Sequence, residues 1–148
     1  MKIFVSKIDS ASVQLIGCAK LPSFLVDFRS STFSGIGRLV PAFDYPEDCV
    51  GREFEVEIGQ GSITEFCITD PATTTSIAAL AVAGSFSVHG IVSFVETAAV
   101  PIENQFFHIA VDDAIFMLSL DDTGGLRPGV GSFVAFIVHD VSFWDEAI

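Results

Sequence analysis

The chain has 148 residues, half of them apolar and fifteen of them phenylalanine, and a formal net charge of −12. That hydrophobicity excludes the disordered class, and the length suits one folded unit whose core needs no covalent staples. The charge disfavours phosphate backbones and anionic lipid and favours basic partners. It is also uneven: from Glu53 onward Arg127 is the sole basic residue against fourteen acidic ones, whereas the first 52 residues are nearly balanced.

In chain order, Lys2–Lys7 reads as a short strand, and Ser12–Ile16 continues it or pairs with it. Leu15-Ile16-Gly17-Cys18 has the look of a bacterial lipoprotein cleavage box. Lys7, Asp9 and Gln14 interrupt the apolar run such a signal needs, so no lipid anchor is expected. Ser23–Phe28 is apolar on both faces, and a strand over Arg38–Phe43 runs into the turn-rich Asp44–Asp48. The clearest alternation follows: Phe54, Val56 and Ile58 point one way, and Glu53, Glu55 and Glu57 the other. That is a half-buried strand with a solvated face. Gly59-Gln60-Gly61 then predicts a tight turn, with Ser62–Thr69 returning as the second arm of a hairpin.

Asp70-Pro71 predicts the start of a helix through Ile77, Leu80 and Ala81 that ends at Gly84; Thr73-Thr74-Thr75 moves its start towards Ser76. Pro71–Val95 holds no formal charge and is long enough to span a bilayer. Its His89, Gly84 and Gly90, and the acidic flanks Asp70 and Glu96, favour a buried helix followed by a buried strand. Strands resume over Ser85–Glu96, Gln105–Val111, Ala114–Leu120 and Ser132–Trp144, with a turn at Asp121–Gly125. One echo runs through the chain. Val50-Gly51 precedes Phe54, Val56 and Ile58, and Val130-Gly131 precedes Val134, Phe136 and Val138 at the same offsets. We read it as the common form of a strand opened by glycine rather than as a duplication.

The resulting expectation is an all-β fold with one helix, residues 1–148 forming a single β domain built as a small OB-like barrel. A two-sheet β-sandwich is the alternative.

Chemical motifs are sparse. Cys18, Cys49 and Cys67 are odd in number and lack a C-x-x-C spacing, which fits small hydrophobes in a reducing cytoplasm. His89, His108 and His139 fall in strands without H-x-H or H-E-x-x-H spacing, so no metal is expected. There is no G-x-S-x-G, and adjacent His139 and Asp140 would face opposite ways in a strand. Gly35-Ile36-Gly37 lacks the rest of a dinucleotide fingerprint. The pairs Asp112-Asp113, Asp121-Asp122 and Asp145-Glu146 read as turn caps. No catalytic, cofactor-binding or metal-binding residue is therefore assigned.

What remains is an acidic ladder, Glu53, Glu55 and Glu57, joined by Glu65 if the hairpin forms. Beside it, Trp144 and Asp145 offer an aromatic anchor next to an acid. These five, Glu53, Glu55, Glu57, Trp144 and Asp145, are the candidate contact residues. The expectation is a cytoplasmic, non-enzymatic protein without cofactor, nucleic acid or membrane. It docks on a basic protein partner and blocks it, as an immunity- or antitoxin-type inhibitor would. The alternatives are a small-ligand or sugar-binding barrel and a hydrolase using a cysteine–histidine pair.

Overall fold

The computed structural model describes residues 1–42, 46–71, 74–96, 101 and 105–147. Phe43 and Asp44, at the expected strand end and turn, and Thr73, near the expected helix start, lie outside the described residues. Among the described residues eleven strands carry the fold: β1 (Lys2–Ile16), β2 (Leu21–Arg29), β3 (Ser34–Val40), β4 (Glu53–Gly59), β5 (Ser62–Ile68), β6 (Ser76–Ala79), β7 (Phe86–Val95), β8 (Phe106–Val111), β9 (Ala114–Ser119), β10 (Phe133–His139) and β11 (Ser142–Asp145). Five of them close a barrel in the order β1-β2-β3-β11-β4 and back to β1, with β3 and β11 parallel. This is the small OB-like barrel. The other six form an open, curled sheet, β5-β10-β7-β8-β9, with β6 on β7.

Three expectations change. The helix over Ser76–Gly84 is absent: Ser76–Ala79 is strand β6, paired with the first half of β7. So short a segment cannot sustain a helix without packing, whereas the edge of β7 offers it ladder hydrogen bonds at once. Gly84 is left-handed (φ 77°) as expected, but it turns β6 into β7 instead of ending a helix. The hairpin is absent too: β4 pairs with β1 and β11, and β5 crosses to the other sheet to pair with β10. Lastly, Ser132–Trp144 is two strands. Asp140, left-handed at φ 53°, bends the chain so that β10 stays in the sheet and β11 enters the barrel. Among the described residues no helix is long and apolar enough to cross a membrane.

The echo proves to be architectural. The pairing β1·β2, β2·β3 and β1·β4 in the barrel recurs as β7·β8, β8·β9 and β7·β10 in the sheet. The registers agree residue by residue: Phe4 faces Arg29 and Glu53, and Ile91 faces Ala110 and Phe133. Both first strands bulge at a serine. Ser6 Oγ donates to Asp27 O at 3.1 Å, and Ser93 Oγ donates to His108 O at 3.1 Å. Gly51 (φ 82°) donates its N–H to Val5 O, and Gly131 (φ 88°) donates to Val92 O, each at 2.8 Å. The fifth strands are exchanged: β5 follows β4 but pairs with β10, while β11 follows β10 but pairs with β4. Their registers match as well, Ser62 facing His139 as Ser142 faces Gly59. The reading of the echo as a common strand opening is thus overturned by a structural repeat with reciprocal strand exchange.

The repeats differ in closure. In the barrel, Arg38 N–H on β3 bonds Val141 O at 3.0 Å and β11 completes the ring. At the equivalent place on β9, Ser119 N–H is held by the Asp122 carboxylate at 2.8 Å, and Gln60 Nε2 occupies Met117 O at 2.7 Å. With those ladder groups taken, β5 does not pair with β9 and the sheet stays open. One apolar core joins the two. Phe28 and Phe143 from the barrel lie 4.5 Å apart between ring centres, and Phe33 reaches Phe86 of β7 at 5.2 Å.

Candidate protein-interaction surface

Alternation along β4 buries Phe54 and Val56 and leaves Glu53, Glu55 and Glu57 exposed on the outer wall of the barrel. Register decides what each acid meets. Glu55 faces Lys2 on β1, and their charged ends lie 3.3 Å apart. Glu53 faces Phe4, whose ring carries the Arg29 guanidinium 4.5 Å above its centre. Glu57 faces Trp144 on β11, with no lysine or arginine across from it. The ladder is therefore partly neutralised at its upper end and anionic at its lower end. Glu65 lies on β5, in the other sheet, and does not join it. Asp145 is 8% exposed, and its carboxylate accepts the N–H groups of Ala42 (3.3 Å) and Ala147 (3.0 Å). It anchors the end of β11, its carboxylate occupied by backbone donors. Trp144 is half-buried, its indole N–H donating to Ser142 Oγ at 3.0 Å.

At the lower end, Glu57 is joined by Glu146. Together they separate two hollows. One, of about 270 Å³, lies between β4 and the outer face of β8 and β9; Met1, Ile58, Ile115 and Met117 give it an apolar floor, and Glu57, Asp113, Glu146 and His108 edge it. The other, of about 480 Å³, is lined by Glu57, Trp144, Asp145 and Glu146. Neither lining contains a lysine or arginine, and the Met1 ammonium at the first hollow is spent on Val56 O at 3.0 Å. Acids bordering low-dielectric walls concentrate the field that draws in cations.

The first hollow opens onto the outer face of the second sheet, where Phe94, Phe106, Ile115 and Met117 are 39–54% exposed. They are contiguous: Phe94 and Met117 flank His108 across β7, β8 and β9, and the Phe94 and His108 rings meet edge-on at 5.3 Å. The repeat shows how unusual this face is. Where the barrel has Lys7, Asp27, Arg29, Glu53, Glu55 and Glu57, the sheet has Phe94, His108, Ala110, Phe133, Ala135 and Ile137. Every formal charge at these outward positions is replaced by an apolar or imidazole group. Contiguous exposed apolar patches of this kind mark interaction sites. Asp113 and Glu146 read in the sequence as turn caps, and Ile115 and Met117 escape a reading confined to acidic residues. The signal was the pattern of β9, where Ile115 and Met117 alternate with buried Phe116 and Leu118, so that apolar residues occupy both faces.

The remaining candidates do not assemble. Among the described residues no three metal-ligating side chains stand close enough to hold an ion. His108 pairs with Glu96 at 3.1 Å, and His139 lies between the hydroxyls of Thr64 and Ser85, each at 3.0 Å. Among the described residues no cysteine bonds to a histidine. Cys18 and Cys67 are exposed, and Cys49 is buried. Burial pushes the Cys49 thiol up to about 11, against the opposing pull of Arg52 and with lesser help from Asp145, Asp48 and Glu47. It is thus a neutral thiol at physiological pH and a poor nucleophile. Its proton is held to higher pH in the folded state, so its contribution to stability is full below pH 9 and declines as pH rises towards about 11. Iodoacetamide at pH 8 is expected to alkylate Cys18 and Cys67 in the folded protein and Cys49 only after denaturation. Mass spectrometry showing early modification of Cys49 would contradict its burial.

Comparison of the chain with models of protein families, with curated proteins and with solved structures gives no match.

Proposed function

We propose that the protein is an interaction module that captures a cationic, partly apolar segment of a partner protein and masks the basic surface it covers. The segment runs along the Glu57–Glu146 ridge and across Ile115 and Met117 towards Phe94 and Phe106. The observation that carries the reading is the chemistry of the cleft at that ridge: an apolar floor edged by Glu57, Asp113 and Glu146, with no lysine or arginine in its lining. Such a lining favours a ligand that brings positive charge and apolar surface together, and the acids speed the encounter. The contact residues are Glu57 and Trp144 from the original candidates, with Asp113, Ile115, Met117 and Glu146 added. Glu53 and Glu55 stand at the rim beside Lys2 and Arg29.

The test is an amide-shift map recorded during titration with a synthetic peptide of alternating lysine and leucine. Saturable shifts confined to β4, β8, β9 and the Glu146 end of the chain are expected. Shifts spread over all acidic loops would mean counter-ion adsorption and would overturn the assignment.

A further inference from the structure

A further hollow shares Trp144 with the ridge but none of its acids. It has a volume of about 490 Å³, within the range of small-molecule sites. Trp144, Arg38, Asp140, Gln14 and Gln60 are among the residues that line it. We propose that this hollow is a binding site for a neutral carbohydrate, with a pyranose ring stacked on Trp144.

The indole is held as a fixed platform. Its N–H is tied to Ser142 Oγ at 3.0 Å, and two glycine backbones close on its rim. A Cβ on Gly17 would come within 2.7 Å of indole Cη2, and one on Gly59 within 2.6 Å of Nε1. Glycine at both positions lets the ring lie where it does, so little ordering remains for a ligand to impose. In the other repeat the place of Trp144 is taken by Thr64 and that of Gly59 by His139, so the platform belongs to the barrel alone.

The polar groups set the ligand class. Arg38 spends one N–H on Ser12 O at 3.0 Å and keeps further donors. Asp140 is exposed and supplies a carboxylate acceptor at the bend between β10 and β11. Gln60 has its amide nitrogen on Met117 O, while its amide oxygen is buried without a partner. One cation and one anion cancel, so a neutral ligand suits the hollow better than a charged one. It must offer hydroxyls that donate to Asp140 and accept from Arg38, and a flat apolar face for the indole. A pyranose has both. A nucleotide would bring phosphate into the field of a chain of net charge −12.

Trp144 is the chain's sole tryptophan, so its emission reports on the hollow directly. The probes are trisaccharides of glucose, galactose and N-acetylglucosamine, with adenosine as the aromatic comparison, each titrated to about ten millimolar, near the weak end of specific affinity. A saturable change in emission is expected with at least one trisaccharide, weakened about tenfold or more in Asp140→Asn, since hydrogen bonds to charged groups are the stronger ones. Asparagine tolerates the left-handed backbone there, so that variant keeps the fold. Glu47→Lys, on the turn before β4 and outside the lining of the hollow, is expected to leave sugar binding unchanged. Silence with all three sugars, a response to adenosine alone, or undiminished binding in Asp140→Asn overturns the proposal.

Discussion

Phe143→Ala is expected to destabilise the protein by about 3–5 kcal/mol, the range for removing a fully buried phenylalanine. Phe143 is 0% exposed and packs against Phe28 at 4.5 Å and Phe33 at 6.4 Å, at the junction of barrel and sheet. The space is already tight, since a Cβ on Gly37 would come within 2.6 Å of its ring. The loss is therefore both of apolar burial and of filled volume. It also strikes the strand that closes the ring, because β11 bridges β3 and β4. Against a total stability of about 5–15 kcal/mol for a domain, such a loss leaves little margin. Urea titration followed by Trp144 emission measures it. Trp144→Ala, on the outer side of the same strand, is expected to cost much less by circular dichroism. If Phe143→Ala lost under 1 kcal/mol, the shared core described for the two sheets would be wrong.

The sequence carried the barrel in its local signals. The alternation of β4 and the apolar runs of β7 to β10 announced strands, and they are strands. What it could not carry was pairing, which is non-local. Gly59-Gln60-Gly61 reads as a hairpin turn because nothing nearby says that β5 has a better partner in β10. Gly35 and Gly37 hid the start of β3, since glycine weakens a strand on local grounds. Their purpose appears only with Phe86 and Phe143, whose rings lie where a Cβ would sit. Ser76–Ala79 follows a helical spacing by composition, and the edge of β7 overrides it. The candidate site divides the same way. Glu57 and Trp144 were legible because alternation and aromaticity single them out. Asp145 reads as a surface acid beside Glu146, yet the burial of its carboxylate depends on N–H groups at both Ala42 and Ala147. Asp113, 56 residues beyond Glu57, reaches the same cleft only because the repeat folds the two sheets together.

Charge reversal at the ridge, Glu57→Lys with Glu146→Lys, is expected to slow association of the lysine–leucine peptide by about 10- to 100-fold at low ionic strength, the scale of electrostatic steering. The change replaces two of the three acids edging the cleft with cations facing a cationic ligand. Both sites are exposed and outside the core, so the fold should survive. Salt separates steering from contact: with a Debye length near 3 Å at 1 M salt, the rates of variant and parent should converge there. The matched control is Glu47→Lys with Asp48→Lys, which alters net charge equally on the turn before β4. If steering were a property of the total charge of −12, the two double variants would slow capture alike, and the ridge would hold no special place. If the ridge concentrates the field, the control retains most of the parent rate. Stopped-flow rates across a salt series decide between them, because only a localised cleft makes the position of four units of charge matter more than their sum.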